Sequence, residues 1–413
     1  MNDRPNGLSI SLNRWVVATA AVIMQAGLGS FYSWSVFREP LSSLYGSNIT
    51  NVNVAFFIAS LMFTFAAFGG GLLMRRVGPR TVGVAGGVLY GLGIFLASFA
   101  EGSLPILYLT YGLIAGTGLG LGYIAPIAVL PRWFPNRPGF AYGMAVLGFG
   151  ASSVINVPIA TSLMSLTGGP LQTFGILGLA YAVLVGAAAS LVKNPPEGRE
   201  PEEPEPPEQE SGKTAEHTWD FRRALKTWQW YALWAIFFLN VSAGLAILSD
   251  AKAMAASIGG GTAALASAFV VIVAIADSAG RLFWPTLSDR ISPRNVFLAM
   301  FLLQAVSLLL LPLLAVGSFV MFTVLSFIVL TCYGGGYGTM PAFINAYYGS
   351  GDVGTIYASI ITASGVAGFG APLLLARSAD TTGSYGPALY VTAALMLAGA
   401  LIPLLIRAPE FPQ

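Results

Sequence analysis

The sequence predicts an all-α integral membrane protein: twelve transmembrane helices in two six-helix halves, with both termini in the cytoplasm. Three observations predict it. The composition is apolar, twelve apolar runs have spanning length, and one segment returns after 214 residues, from Gly71 to Pro285. Of the 413 residues, 55% are hydrophobic and 9% charged. A soluble chain carries about 25% charged residues, so most of this surface must face an apolar solvent.

Runs of about 20 apolar residues are long enough to cross a bilayer. In chain order they occupy 14–37, 53–74, 80–100, 105–130, 140–166 and 170–192, then 229–249, 262–287, 295–316, 318–344, 353–376 and 386–407. Residues 1–192 are expected to form an N-terminal half, 193–228 a cytoplasmic linker and 229–413 a C-terminal half. The linker contains the Glu- and Pro-rich run Glu200–Glu210 and reads as flexible and partly extended. Docking of a basic partner is the alternative reading of its charge. Arg4 and Arg14 precede a long apolar run without a cleavage-type ending, which predicts a retained helix and not a removed signal.

Composition also narrows the chemistry. The single His, His217, lies in the linker, so neither a metal site nor a histidine proton relay is expected. The single Cys, Cys332, excludes an internal disulfide. No catalytic constellation, cofactor or nucleic-acid partner is implied, and the expected protein is not an enzyme. Gly116, Gly118, Gly120 and Gly122 lie within an apolar run and read as helix-packing positions, not as a phosphate loop.

Sixteen Lys and Arg residues fall at the termini and in the even-numbered connections. Three (Arg38, Lys252 and Arg377) fall in the odd-numbered ones. This bias places both termini in the cytoplasm. The twentieth cation is Arg281. With Asp277 it makes the one pair of charges inside an apolar run, Ala263–Leu287. A charge there costs from about 3 to more than 10 kcal/mol. A spacing of four puts the pair on one helix face, with Cβ atoms about 5–6 Å apart. A permanent cation beside a carboxylate that can take a proton points to an anion site coupled to a proton. The alternative is that Arg281, six residues from the end of its run, snorkels to the headgroups with Asp277 as a structural partner.

The repeated segment reads GLLMRRVGPRTV from Gly71, after the second run, and PTLSDRISPRNV from Pro285, after the eighth. Halves related in this way place a substrate site near the bilayer midplane, at their interface. Both segments resemble the loop motif Gly-x-x-x-Asp-Arg-x-Gly-Arg of the major facilitator superfamily. Asp289 and Arg290 match it. The first copy has Arg75 in place of the Asp, followed by Arg76, and the second copy lacks both glycines. The resemblance implies a cytoplasmic gate built from Asp289, Arg290, Arg75 and Arg76. Further strings narrow it: Tyr32–Trp34 with Pro40, PRWFPNRPGFAYGMAVLGFG from Pro131, TWQWYALW from Thr227, GRLFWPTLSDR from Gly280 and YGGGY from Tyr333. Together they resemble the monocarboxylate-transporter branch, which includes the bacterial oxalate–formate exchangers, and within it the bacterial lactate-type carriers.

That resemblance implies roles residue by residue. Arg281 falls on the arginine that pairs with the substrate carboxylate, and Asp277 on the aspartate of proton-coupled carriers, where the oxalate exchanger has an uncharged amide. The exchanger also has an eleventh-helix lysine, where Ile360 stands here, near Thr362–Ser364. Animal carriers have a first-helix lysine, and Gln25 to Trp34 contains none. One fixed cation matches one carboxylate, because a dianion would leave a buried charge unpaired. The expected protein is therefore a monomeric, proton-coupled symporter of a short monocarboxylate such as L-lactate or pyruvate, multi-pass in the inner or plasma membrane. The alternatives are a carboxylate exchanger of the oxalate–formate type and, more remotely, a transporter-fold sensor.

Tyr333 and Tyr337 stand at i, i+4 and are expected to orient the carboxylate, with packing against Gly334–Gly336 as the alternative. The resemblance implies site roles for both and for Tyr123. Tyr32 and Asn240 are expected to line the site, and Gln25 and Asn156 to be structural. Phe149 and Leu147 are expected to form an apolar wall for the alkyl end of the substrate. Pro126, Pro158, Pro341 and Pro372 are expected kinks that help the halves rock.

Overall fold

The computed structural model describes residues 13–196 and 219–410. Arg4, the Glu/Pro-rich run, Arg199, Lys213 and His217 lie outside the described residues. Among the described residues, twelve helices are long and apolar enough to cross a membrane. We number them as spans. Spans 1–6 are Arg14–Tyr45, Ile49–Val77, Pro79–Ala97, Leu104–Trp133, Pro138–Thr167 and Pro170–Leu191. Spans 7–12 are Trp228–Leu248, Ala264–Ile291, Pro293–Leu314, Phe319–Tyr348, Val353–Thr382 and Gly386–Leu405. An even number of spans brings the start of the first and the end of the last to one face. The even-numbered, Arg-rich connections lie there too, so we call it the basic face.

Local sequence explains where the spans begin. Asn48, Thr262, Ser292 and Ser318 each accept a hydrogen bond from the N–H three residues on, satisfying a donor that the first helical turn leaves unpaired. Pro79, Pro138, Pro170 and Pro293 open their helices, where a missing N–H costs nothing. Val183, Leu313, Val320 and Leu405 stand largely exposed on the outside of the bundle, which suits an apolar solvent.

Three spans depart from a plain α-helix. Span 1 tightens into a 3₁₀ turn over Gly29–Ser33 and resumes as Trp34–Tyr45, so it runs past residue 37, where the apolar run was expected to end. Pro40 sits inside the resumed helix and does not end it. Span 4 widens into a π-helical stretch over Tyr108–Ala115. Span 11 comprises Val353–Ile360 and Thr362–Thr382, joined at Ile361. Such irregular turns inside spans need local partners for the freed backbone groups. Pro126, Pro158, Pro341 and Pro372 all lie within helices.

Span 8 packs against spans 5 and 10, and span 5 also meets spans 1 and 10. The first segment of span 11 touches spans 2 and 4. The repeat is visible in the backbone. Gly78 has φ 80°, ψ 159°, and Ser292, 214 residues on, has φ 70°, ψ 145°. Each is followed by the proline that opens the next span.

Candidate functional site

Span 8 carries Asp277 and Arg281 inside the bundle. Arg281 is 0% exposed and Asp277 6%. The Arg281 Nε–H donates to Asp277 Oδ1 at 3.0 Å and Oδ2 at 3.2 Å. Span 8 continues to Ile291, so Arg281 lies ten residues from its end. At the helical rise that is about 15 Å, deeper than the apolar run alone implied. The side chain does not snorkel. Its Cζ stands 4.7 Å from the Tyr337 ring centroid and 5.7 Å from that of Phe149, so a ring from span 10 and one from span 5 flank the guanidinium. Each such contact contributes about 0.5–2 kcal/mol where water is excluded.

This approach of three helices depends on two missing side chains. A Cβ at Gly150 would stand 2.7 Å from Arg281 Cδ and Nε and 3.0 Å from Asp277 Oδ2. One at Gly334 would stand 2.5 Å from Asp277 Oδ1. Gly334 belongs to the YGGGY string, but Gly150 carried no signal in the sequence beyond its place at the end of the string that begins at Pro131.

Arg281 Nη1 and Nη2 are buried and have no hydrogen-bond partner among the described residues. A buried donor left unmade costs about 1–3 kcal/mol, and more when charged. Two parallel N–H groups at the end of a planar fork match a carboxylate. The Tyr32 hydroxyl stands near enough to interact with the Arg281 side chain, and the phenols of Tyr123 and Tyr333 lie within electrostatic reach of it. Tyr32 and Tyr123 meet the Phe149 ring edge-on at 5.1 and 5.2 Å, and Tyr333 meets Tyr337 at 5.4 Å. Tyr32 is carried by the 3₁₀ turn of span 1. Span 1, span 4, span 5 and span 10 thus each bring an aromatic ring to one arginine.

The structure adds Tyr357, which the sequence reading missed. It is fully buried, its hydroxyl lies 3.3 Å from that of Tyr123, and it donates to the Tyr337 carbonyl at 3.1 Å. It ties span 11 to spans 4 and 10. The available signal was its spacing: Tyr357 lies three residues before Ile360, one helical turn along the same face.

Two expected positions fall elsewhere. Leu147 does not share a wall with Phe149. It lines an outer groove between spans 5 and 8 with Ile155 and Phe283. Residues two apart on a helix point in opposite directions, so the pair could not have faced one substrate. Asn240 is buried against spans 9 and 10: its amide donates to the Cys332 carbonyl at 3.2 Å and to Gln304 Oε1 at 3.4 Å. Gln25 donates to the Tyr123 carbonyl, and Asn156 donates to Ala26 and Ser152 carbonyls while accepting from Tyr181. These bonds hold helices together.

At the basic face, Asp289 accepts from the N–H groups of Gly139 and Phe140 at 2.6 and 2.9 Å, in the first turn of span 5. Arg75 pairs with Asp220 at 2.9 Å and also with Asp352. Asp352 in turn accepts from the Phe221 N–H at 2.9 Å. Arg76 and Arg290 are exposed and make no ion pair among the described residues. Neighbours in a helix diverge by about 100°, so the second residue of each motif pair points away from the contact made by the first.

Twelve candidate spans with an ion pair buried where spans 5, 8 and 10 meet define a multi-pass membrane protein. The chain belongs to the Major Facilitator Superfamily, whose family profile matches residues 8–372. It is 26% identical over 375 residues to the oxalate:formate antiporter of Oxalobacter formigenes, covering 88% of this chain and 86% of that protein. It is also 26% identical over 372 residues to apicoplast pyruvate carrier 1 of Toxoplasma gondii, covering 77% of this chain and 68% of that protein. Among solved structures, the fucose:proton symporter of Escherichia coli superposes with a TM-score of 0.70 at 15% identity, over 95% of this chain and 99% of that one. That likeness is one of fold.

Proposed function

We propose that the protein is a proton-coupled symporter of a short monocarboxylate such as L-lactate or pyruvate. Arg281 holds the carboxylate and Asp277 carries the proton. Residues 1–192 and 229–413 rock as two halves about this site, joined by 193–228, with both termini and the basic face in the cytoplasm. The observation that carries the reading is the division of the guanidinium: Nε is engaged by Asp277, while Nη1 and Nη2 are buried and without a hydrogen-bond partner among the described residues.

A carboxylate that docks on the two Nη groups therefore has no need to displace Asp277. What changes is the net charge. With Asp277 ionised, the anion would bring the set of three groups to minus one at membrane depth, where an uncompensated charge costs from about 3 to more than 10 kcal/mol. A proton on Asp277 restores neutrality, so anion and proton enter together and transport is electroneutral. Valence follows from the same count. Arg281 is the only buried cation among the described residues, and Ile360 is fully buried and apolar. The second carboxylate of a dianion would meet no positive partner. Phe149, Tyr32, Tyr123, Tyr333 and Tyr337 surround the guanidinium and favour a short apolar end.

The test is uptake of labelled L-lactate into proteoliposomes under an imposed inward proton gradient. The parent accumulates lactate, pyruvate competes and oxalate does not. Asp277→Asn keeps lactate exchange and loses gradient-driven accumulation. Accumulation by Asp277→Asn equal to the parent removes the proton role of Asp277. A carboxylate exchanger is the second reading, favoured by the likeness to the oxalate:formate antiporter over 88% of this chain. It requires counterflow that ignores the proton gradient and competition by oxalate.

A further inference from the structure

The seam between spans 5 and 8 has two sides. The inner side holds the ion pair, and the outer side is an open groove of about 820 Å³. Span 8 lines one wall with Ile275, Leu282 and Phe283, and span 5 lines the other with Leu147, Val154 and Ile155. The positions recur every three to four residues, so each helix presents one continuous apolar stripe. The two hydroxyls in the groove are already bonded within their own helix: Ser278 donates to the Ala274 carbonyl at 2.7 Å and Thr286 to the Leu282 carbonyl at 2.6 Å. One polar group is left. Arg290 closes the end of the groove at the basic face, exposed and without an ion-pair partner among the described residues.

We infer that this groove binds one anionic phospholipid, with an acyl chain along the seam and the phosphate on Arg290. From Arg281 to Arg290 span 8 rises about 14 Å, close to the thickness of about 15 Å of hydrocarbon in one leaflet, and the stripe runs on past Arg281 to Ile275. The cation therefore stands at headgroup level when the apolar stripe lies in the chain region. A ligand with an anionic end and a long apolar tail is the chemistry that both parts share, and the surrounding bilayer supplies it. The position makes the lipid more than a coat. Ser278 and Leu282 each adjoin a member of the ion pair, Ala151 adjoins Gly150, and Arg290 adjoins Asp289, which caps span 5. A chain lying here clasps spans 5 and 8 in the arrangement in which Asp289 meets Gly139.

The experiment uses the full chain in phosphatidylcholine vesicles with a trace of photoactivatable phosphatidylglycerol or photoactivatable phosphatidylcholine, followed by digestion and mapping of the label. Phosphatidylglycerol label is expected to concentrate on Phe140–Ile155 and Ile275–Leu287. Arg290→Gln should lower the preference for phosphatidylglycerol over phosphatidylcholine about fivefold, the weight of one basic residue beside an anionic headgroup. Arg290→Lys should keep the preference, and Ile155→Trp, which fills the groove, should lower labelling by both lipids. Label spread evenly over the outward faces of all spans, as for bulk lipid, overturns the site, and so does a preference unchanged in Arg290→Gln. Should Arg290→Gln fail to fold, competition on the parent decides. Displacement by unlabelled phosphatidylglycerol, and not by phosphatidylcholine or inorganic phosphate, supports the site, and equal displacement by all three overturns it.

Discussion

Positions 75 and 289 stand 214 residues apart at the same place in the repeated segment, hold opposite charges, and both tie the basic face to the start of another span. Asp289 does so directly, accepting from two N–H groups in the first turn of span 5. A helix start carries unpaired donors and partial positive charge, so a carboxylate is its natural partner. Arg75 cannot serve that way, because it would bring a cation to a positive end. Its contacts are Asp220 and Asp352, and Asp352 immediately precedes span 11. Position 352 is the 214-residue counterpart of Pro138, which opens span 5. The first copy of the segment thus lacks the carboxylate, and the start of the facing span supplies it. The shared requirement is one carboxylate between the segment and the helix start, whichever side provides it.

The most damaging way to break this comparison is Arg75→Asp. That change gathers a new carboxylate at position 75 with those of Asp220 and Asp352 and removes their cation, and juxtaposed like charges cost several kcal/mol. Lactate uptake is expected to fall close to background, with single cysteines placed beside position 75 becoming reactive from the basic face in a Cys332→Ser background. Adding Asp352→Ser should recover most of the uptake, because the carboxylate at position 75 can then cap span 11 as Asp289 caps span 5. A double variant no better than Arg75→Asp would show that the two contacts are not versions of one device.

The two contacts also mark how far the sequence can be read. Asp277 and Arg281 are legible because charges inside an apolar run are costly enough to stand out, and their spacing fixes a shared face. Tyr333 and Tyr337 are legible for the same reason of spacing. The same rule separates Leu147 from the site, since positions 147 and 149 diverge on a helix. Arg75 and Asp289 stand out in the repeat, but their partners at Asp352 and Gly139 are 277 and 150 residues away. Such pairings follow from how spans pack, which no local pattern specifies. The outer groove of Arg290 belongs to the same class, whereas Tyr357 lies within reach of the spacing rule through Ile360. The twelve spans themselves follow from hydropathy, although the 3₁₀ turn that carries Tyr32 does not.

Asp289→Ala is the next largest perturbation. It removes two hydrogen bonds to a charged acceptor, each contributing about 1.5–3 kcal/mol when well shielded. Asp289 is partly exposed to solvent, so the combined loss should lie near the lower figure. Uptake should fall severalfold and less than in Arg75→Asp, because no new repulsion is created. Asp289→Asn retains an acceptor and should lose about half as much. If Asp289→Ala proves the more severe variant, span 5 and not span 11 dominates closure of the basic face.

The smallest effect concerns the backbone that follows each segment. Gly78 and Ser292 share a positive-φ backbone with extended ψ, at φ 80° and 70°, which only glycine adopts without strain. A residue with a side chain held there costs about 1–3 kcal/mol. Ser292 recovers little of this through its cap, because its Oγ accepts from the Asn295 N–H at a long 3.5 Å. Replacing a serine cap by glycine loses a few tenths of a kcal/mol, and the freer unfolded chain takes back about 0.5–1 kcal/mol. Ser292→Gly should therefore stabilise the protein by about 1 kcal/mol, seen as a raised thermal midpoint in detergent, and Gly78→Ser should lower the midpoint. A midpoint that drops in Ser292→Gly would mean that the Asn295 cap outweighs the backbone strain. The likeness of the two copies would then rest on their carboxylate contacts alone.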